Sequence, residues 1–233
     1  FPRAMLDASD LPLIQIAGVI DEAEAHLLIE AGVRWLGFPL RLTVNQEDLS
    51  EAAAAALVRR LPTECRSVLI TYLDRADDIV AFCRQLGVRT VQLHGAIAVE
   101  ELRQLRQSAP ELTVFKSLVI RPGNEAALHQ MVRETAPYVA AYLTDTYNPA
   151  TGQEGATGLT HDWSISRRLV ELSPRPVILA GGLTPDNVAA AIHAVRPAGV
   201  DAHTGVEGPD GRKSAEKVRA FVAATRHAFR QLG

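Results

Sequence analysis

Short apolar segments alternate with segments of helical spacing about eight times along this chain, and this alternation restricts the possible folds more than any other feature. Strands that alternate with helices form parallel sheets, because each helix carries the chain back to the edge at which the next strand begins. The links are short and about eight pairs are present, which predicts an α/β fold, a single-domain (β/α)8 TIM barrel. The predicted strands are residues 13–17, 34–38, 66–72, 90–94, 112–120, 138–145, 176–180 and 199–204, and the predicted helices are residues 21–31, 46–60, 76–86, 99–107, 124–134, 164–171, 185–195 and 215–229.

A doubly wound open sheet is the alternative arrangement of alternating strands and helices. It fits less well, because it needs no eighth unit and its glycine-rich fingerprint usually follows the first strand. A chain of 233 residues suits one undivided barrel. We therefore expect residues 13–233 to form the barrel domain, and residues 1–12 to be an N-terminal extension or a cloning remnant.

The composition argues against several classes of partner. The net charge is −3 and the 24 basic residues are scattered, so nucleic acid is not an expected partner. No apolar run approaches the roughly 20 residues that span a bilayer, and the N-terminus lacks the apolar core of a signal peptide. We therefore expect a cytoplasmic protein with no membrane partner. The two cysteines, Cys65 and Cys83, provide neither a disulfide framework nor the spacing of metal ligands.

Two glycine-containing turns follow the seventh and eighth predicted strands, in the sequences VILAGG (177–182) and VDAHTG (200–205). Each turn leads into a segment with helical character, where unpaired backbone N–H groups and the positive end of a helix dipole suit a phosphate. Parallel barrels frequently bind phosphate at the loops after these two strands. A phosphorylated small molecule is therefore the expected ligand.

Polar residues lie at the carboxyl ends of several predicted strands. The two-residue alternation of a strand places five of them on the inner face of the barrel: Gln15, Gln92, His94, Asp201 and His203. The sixth, Asp145, ends the sixth predicted strand. The active sites of barrel enzymes lie at this end. A hydrogen-bonded core residue is the alternative for any one of them, but their concentration at the strand ends favours an active site.

Seven short motifs resemble those of the phosphoribosylanthranilate isomerases of tryptophan biosynthesis. They occur in order along nearly the whole chain: VQLHG (91–95), LTDT (143–146), GATG (155–158), HDW (161–163), LAGGLTPDNV (179–188), GVDAHTGVEG (199–208) and GRK (211–213). The fifth motif together with the sixth is the most specific part of the resemblance. It implies a barrel that binds a phosphoribosyl amine and performs an Amadori rearrangement of an aminoaldose to an aminoketose without a cofactor.

The resemblance also implies roles for individual residues. Asp145 matches the general acid that protonates the furanose ring oxygen, and His94 matches a histidine that positions the substrate. Arg41 is a candidate for the arginine that holds the anthranilate carboxylate. A solvated surface arginine is an equal alternative, because the loop after the second strand is shorter here than in the family. Further substrate contacts are assigned to Gln15 and Asp201, and phosphate contacts to Gly158, Gly181, Gly182, Thr204 and Gly205.

The chain departs from the family at the position of the catalytic base. The family has Lys-Ile-Cys-Gly in its first strand and uses the cysteine to remove the sugar C2 proton, whereas this chain has Gln15-Ile16-Ala17-Gly18. The methyl group of Ala17 cannot accept a proton, and the loss of a general base typically costs about 10²–10⁴-fold in rate. His203 stands where the family usually has a small hydroxyl residue. It is a candidate for a replacement base or a phosphate ligand, and a side chain that only fills space is the alternative.

Three functions are compatible with these residues. The first is a divergent isomerase-like enzyme that acts on a phosphorylated sugar or sugar-amine outside tryptophan biosynthesis, and we expect activity on phosphoribosylanthranilate to be poor. The second is a genuine phosphoribosylanthranilate isomerase with a relocated base. The third is a non-catalytic protein that binds a phosphorylated metabolite. A homodimer is one of the assemblies that the resemblance allows.

Overall fold

The computed structural model of the chain describes residues 6, 8–43, 47, 49–146 and 160–233. Its strands form one closed parallel barrel in sequence order, which confirms the predicted α/β class and the single-domain barrel. The strands are β1 (Leu13–Ala17), β2 (Trp35–Pro39), β3 (Arg66–Thr71), β4 (Thr90–Leu93), β5 (Thr113–Ile120), β6 (Ala141–Thr146), β7 (Val177–Leu179) and β8 (Gly199–Ala202). The helices are α1 (Glu22–Glu30), α2 (Glu51–Val58), α3 (Ala76–Leu86), α4 (Val99–Ser108), α5 (Glu125–Thr135), α6 (Trp163–Leu172), α7 (Val188–Val195) and α8 (Ala215–Leu232).

The side chains of a strand are divided between the inside of the barrel and the outer helical layer, because successive residues point to opposite faces. In β1, Ile14 and Ile16 pack against the outer helices, whereas Leu13 and Ala17 belong to the core inside the barrel. This is the orientation that the alternation of the sequence predicts. Gln15 therefore points into the barrel, where its amide donates to the inward side chain of Gln92.

Local hydrogen bonds account for two differences between the predicted and observed starts of helices. Helix α2 begins five residues later than predicted, at Glu51, because the Ser50 hydroxyl accepts the N–H of Ala53 and ends the preceding loop. Helix α7 begins at Val188 because the residues before it form a turn, in which the Asn187 side chain accepts the N–H of Thr184 at 2.8 Å.

The amino-terminal end of the barrel is covered by residues that precede β1. A short 3-10 helix spans Ala8–Asp10, and the partly buried Leu6 and Leu11 pack against the core inside the barrel. A domain boundary after residue 12 stays a prediction. In the part of the chain that the structure describes, no helix has the length and apolar character needed to span a membrane.

We expect truncation of a buried apolar side chain of the outer core to cost far more stability than truncation of an exposed one. Phe221 of α8 is fully buried between α8 and its neighbours, so Phe221→Ala should lower the free energy of unfolding by about 3–5 kcal/mol through lost burial and a residual cavity. Leu172→Ala is the control at an exposed position and should change it by less than about 0.5 kcal/mol. Urea unfolding of the two variants measures the difference, and equal losses would contradict the packing.

Candidate active site

Asp145 is a buried carboxyl at the open end of the barrel, where it lies near the end of β6. Its Oδ1 accepts the backbone N–H of Thr146 at 2.7 Å, and its Oδ2 is 4.0 Å from Nδ1 of His94. Burial raises the pKa of Asp145 to about 7, and the hydrogen bond from Thr146 opposes that rise. A carboxyl with this pKa can give or take a proton near neutral pH.

His94 follows β4 and is held by Ser117 on β5 and by Tyr72, which follows β3. Its Nδ1 is 3.1 Å from the hydroxyl of Ser117, and its ring centroid is 5.1 Å from that of Tyr72. Burial, with a smaller contribution from the charge of Lys116, lowers the pKa of His94 to about 4. The imidazole is therefore neutral at neutral pH, which suits a residue that positions a ligand.

Lys116 on β5 is a buried cation of the site that the sequence analysis missed. Its Nζ donates to the backbone carbonyls of Leu93, Gly95 and Ser117 at 3.3, 3.0 and 2.9 Å. Burial lowers the pKa of Lys116 to about 8. The signal in the sequence was a lysine within a mostly apolar strand, because lysine is rarely buried.

Two more polar residues lie inside the barrel beside these groups. Gln15 donates to Gln92 Oε1 at 2.9 Å, and Asp201 lies opposite Gln15 in the pairing of β1 with β8. Burial, followed by the charge of Asp145, raises the pKa of Asp201 well above its ordinary value. Gln15 Oε1 and Asp201 Oδ1 are buried and have no hydrogen-bond partner among the described residues. Each of these oxygens can accept a hydrogen bond that no described residue donates.

The two glycine turns contact each other at the same end of the barrel. Gly181 and Gly182 have φ angles of 100° and 63°, which residues other than glycine rarely adopt. A Cβ on Gly205 would lie 1.9 Å from the carbonyl oxygen of Leu183, so only glycine allows this approach. Thr204 begins the short 3-10 helix Thr204–Val206. The structure thus brings four of the five predicted phosphate residues together, and the fifth, Gly158, lies outside the described residues.

His203 lies next to the first strand, beside the position of the family's base. Its Nε2 is 2.1 Å from the place that a Cβ of Gly18 would occupy, and 3.4 Å from Glu207 Oε1. Lys213 pairs with the same glutamate oxygen at 2.6 Å. Burial, followed by the charge of Lys213, lowers the pKa of His203 to about 3. The imidazole of His203 is thus neutral, and it occupies the space that a side chain at position 18 would need.

Arg41 is the predicted site residue that the structure does not bring together with the others. Its Nε is 2.8 Å from Glu51 Oε1, and its guanidinium lies 3.7 Å from the centre of the Phe82 ring. Both partners belong to outer helices, so this pairing holds the side chain at the helical layer. A contact between Arg41 and an anthranilate carboxylate stays a prediction, and it would require this pair to open.

No group of three or more histidine, cysteine or acidic residues suited to a metal ion occurs in the described ranges. The described site contains the carboxyls of Asp145 and Asp201, the neutral imidazoles of His94 and His203, the buried Lys116 and the two glycine turns. Such groups can transfer a proton next to a bound anion.

Comparison with known proteins gives one consistent result. A family model for N-(5'-phosphoribosyl)anthranilate isomerase matches residues 14–224. The chain is 37% identical to N-(5'-phosphoribosyl)anthranilate isomerase 2 of Methanosarcina mazei, over 93% of this chain and 95% of that protein.

Solved structures of the same family are also similar. The phosphoribosyl anthranilate isomerase of Thermotoga maritima is 26% identical, with a TM-score of 0.78, over 92% of this chain and 98% of that one. A phosphoribosyl anthranilate isomerase in complex with reduced 1-(o-carboxyphenylamino)-1-deoxyribulose 5-phosphate has a TM-score of 0.76 at 24% identity, with the same coverage.

The raised pKa of Asp145 predicts a pH-dependent gain in stability on its removal. The folded state holds this proton more tightly than the unfolded state, so stability falls as the pH rises from the ordinary value of 3.8 to about 7. Asp145→Asn removes that loss and should stabilise the protein at about pH 8 by up to roughly 4 kcal/mol, and by much less at about pH 4. Urea unfolding at both pH values measures this. Asp186→Asn, at an exposed position, is the control, and a gain independent of pH would contradict the account.

Proposed function

Because the chain belongs to the N-(5'-phosphoribosyl)anthranilate isomerase family, we propose that it converts N-(5'-phosphoribosyl)anthranilate to the corresponding aminoketose in tryptophan biosynthesis. The relatives support this substrate, and they give no support to the divergent sugar phosphate expected from the altered first strand. The expectation of poor activity on phosphoribosylanthranilate therefore gives way to an expectation of activity.

The buried Asp145 is the observation that carries this proposal. Opening the ribose ring requires a proton on the ring oxygen, and a carboxyl with a pKa of about 7 is still partly protonated at neutral pH. The neutral His94, with Nδ1 4.0 Å from Asp145 Oδ2, provides a donor or acceptor for the sugar without competing for the proton. Asp145 then acts as general acid, and His94 positions the substrate.

The phosphate and the sugar hydroxyls have matching partners in the barrel. The turns at Gly181–Gly182 and Thr204–Gly205 lie close together, and glycine turns of this kind offer backbone N–H groups that suit a phosphate. The unpaired oxygens of Gln15 and Asp201 are acceptors for sugar hydroxyl groups. Gly158 would complete the phosphate contacts from the sixth loop, as the resemblance implies.

His203 is our candidate for the base that replaces the missing cysteine. It is neutral in the free protein, and it lies against Gly18, the residue after Ala17. The Glu207 carboxylate lies 3.4 Å away and would favour the imidazolium formed when the C2 proton is removed, whereas Lys213, which pairs with the same carboxylate oxygen, opposes it. The substrate phosphate at the adjacent turn would raise the basicity of the imidazole further, since a nearby anion favours its charged form.

The subunit arrangement of this chain stays a proposal. The Thermotoga maritima isomerase is dimeric, and we propose a homodimer for this chain by analogy with it. Analytical ultracentrifugation measures the mass of the assembly directly, and a monomer at all concentrations would rule the dimer out.

Loss of turnover in Asp145→Asn tests the proposed activity. The wild-type protein should convert N-(5'-phosphoribosyl)anthranilate and restore growth of a tryptophan auxotroph that lacks this isomerase. Asp145→Asn should lower kcat by about 10²–10⁴-fold, because the amide cannot donate the proton. No conversion by folded wild-type protein, together with saturable phosphate binding, would instead favour the non-catalytic alternative.

A compensating substitution tests the role of His203. His203→Ala should lower kcat by about 10²-fold or more if it removes the base. Adding Ala17→Cys to that variant restores the family's residue at the first strand and should recover at least part of the activity. A His203→Ala protein with unchanged kcat would show that His203 only fills space.

A further inference from the structure

His161 connects the end of β6 to helix α6 through two hydrogen bonds. Its Nδ1 is 2.9 Å from the Thr146 hydroxyl, and its Nε2 is 2.6 Å from the Ser166 hydroxyl. Burial lowers the pKa of His161 to about 4, although the charge of Asp162 opposes this. A neutral imidazole has one donor and one acceptor nitrogen, so both hydroxyl contacts can be satisfied at once.

Thr146, the residue held by His161, is in contact with two parts of the site. Its backbone N–H donates to Asp145 Oδ1. Its hydroxyl fills the space beside Gly181, because a Cβ on that glycine would lie 2.1 Å from Thr146 Oγ1 and 3.2 Å from His161 Nδ1. One threonine therefore contacts both the carboxyl and the first glycine turn.

We propose that His161 is a positioning residue for the reaction, which fixes Thr146 and thereby orients the Asp145 carboxyl and supports the Gly181 turn. With Oδ1 committed to the Thr146 N–H, the proton of Asp145 is carried by Oδ2, the oxygen that faces His94. This role rests on the proposed function of Asp145 as the acid. It assigns His161 no contact with the substrate.

The other titratable groups near Asp145 interact with it without the involvement of His161. His94, which follows β4, faces its Oδ2. Asp201 on β8 and Tyr72 after β3 both have pKa values that the charge of Asp145 raises. A change at His161 therefore reaches Asp145 through Thr146. The Thr146 N–H stabilises the ionised form of Asp145. Weakening this hydrogen bond should therefore raise the pKa of Asp145.

Two amide substitutions separate the two nitrogens of His161. The side-chain amide of His161→Asn lies close to the former position of Nδ1, and that of His161→Gln lies close to Nε2. His161→Asn should thus keep the contact with Thr146, whereas His161→Gln should keep only the contact with Ser166. Titration of the Asp145 carboxyl by ¹³C NMR, in the protein without substrate, should show an unchanged pKa in the first variant and a rise of about half a unit to one unit in the second.

The turnover of the same variants provides the second readout. In His161→Gln the limb of the kcat–pH profile governed by Asp145 should move to higher pH by the same amount, and KM should rise because the Gly181 turn loses its neighbour. Since the NMR titration needs no substrate, it decides the role of His161 even if the wild-type protein fails to convert N-(5'-phosphoribosyl)anthranilate. That failure would overturn the proposed function alone.

A matched pair at Thr146 covers the case in which a His161 variant does not fold. Thr146→Val keeps the shape but removes the hydroxyl and should reproduce the shift of His161→Gln, while Thr146→Ser keeps the hydroxyl and should leave the Asp145 pKa unchanged. Circular dichroism and thermal unfolding establish that each variant is folded. Equal shifts within either pair, or no shift in any folded variant, would overturn the proposal.

Discussion

The burial of one carboxyl, that of Asp145, is the constraint on which the rest of the site depends. An ionised carboxylate is costly in a poorly solvated place, so burial keeps the proton on the acid up to a pKa of about 7. The surrounding groups are compatible with that proton: His94 is neutral, and a single backbone N–H limits the rise in pKa. The closed barrel provides the burial, and the carboxyl end of β6 leaves Asp145 within reach of a ligand.

The fold followed from the sequence because its signals are local and repeated. Alternating strands and helices gave the barrel, and the inward positions of Gln15 and Asp201 followed from the two-residue period of a strand. The helix boundaries were less accurate where a cap decides them, as at Ser50. Positive φ angles at Gly181 and Gly182 explain why the turn after β7 carries two glycines in succession.

The site was only partly predictable, because several of its contacts join residues that are far apart in the chain. Lys116 is held by carbonyls around β4, and no sequence pattern reports such acceptors. His161 belonged to a recognised motif, yet its link to Thr146 became visible only in three dimensions. Arg41 shows the reverse case, since a resemblance suggested a ligand contact where the structure has an ion pair with Glu51.

The departure at the first strand coincides with a second departure on the neighbouring strand. Ala17 lacks the family's thiol, and His203 after β8 lies against the next residue, Gly18, where the glycine leaves space for the ring.

The central claim is that the glycine turns and Asp145 together form one site for a phosphoribosyl amine. A crystal structure of this chain with the reduced product analogue, 1-(o-carboxyphenylamino)-1-deoxyribulose 5-phosphate, tests that claim most directly. The account predicts its phosphate on the N–H groups of the two turns and a sugar oxygen within hydrogen-bond distance of Asp145. An analogue bound with Asp145 out of contact, or no binding at this end of the barrel, would contradict it.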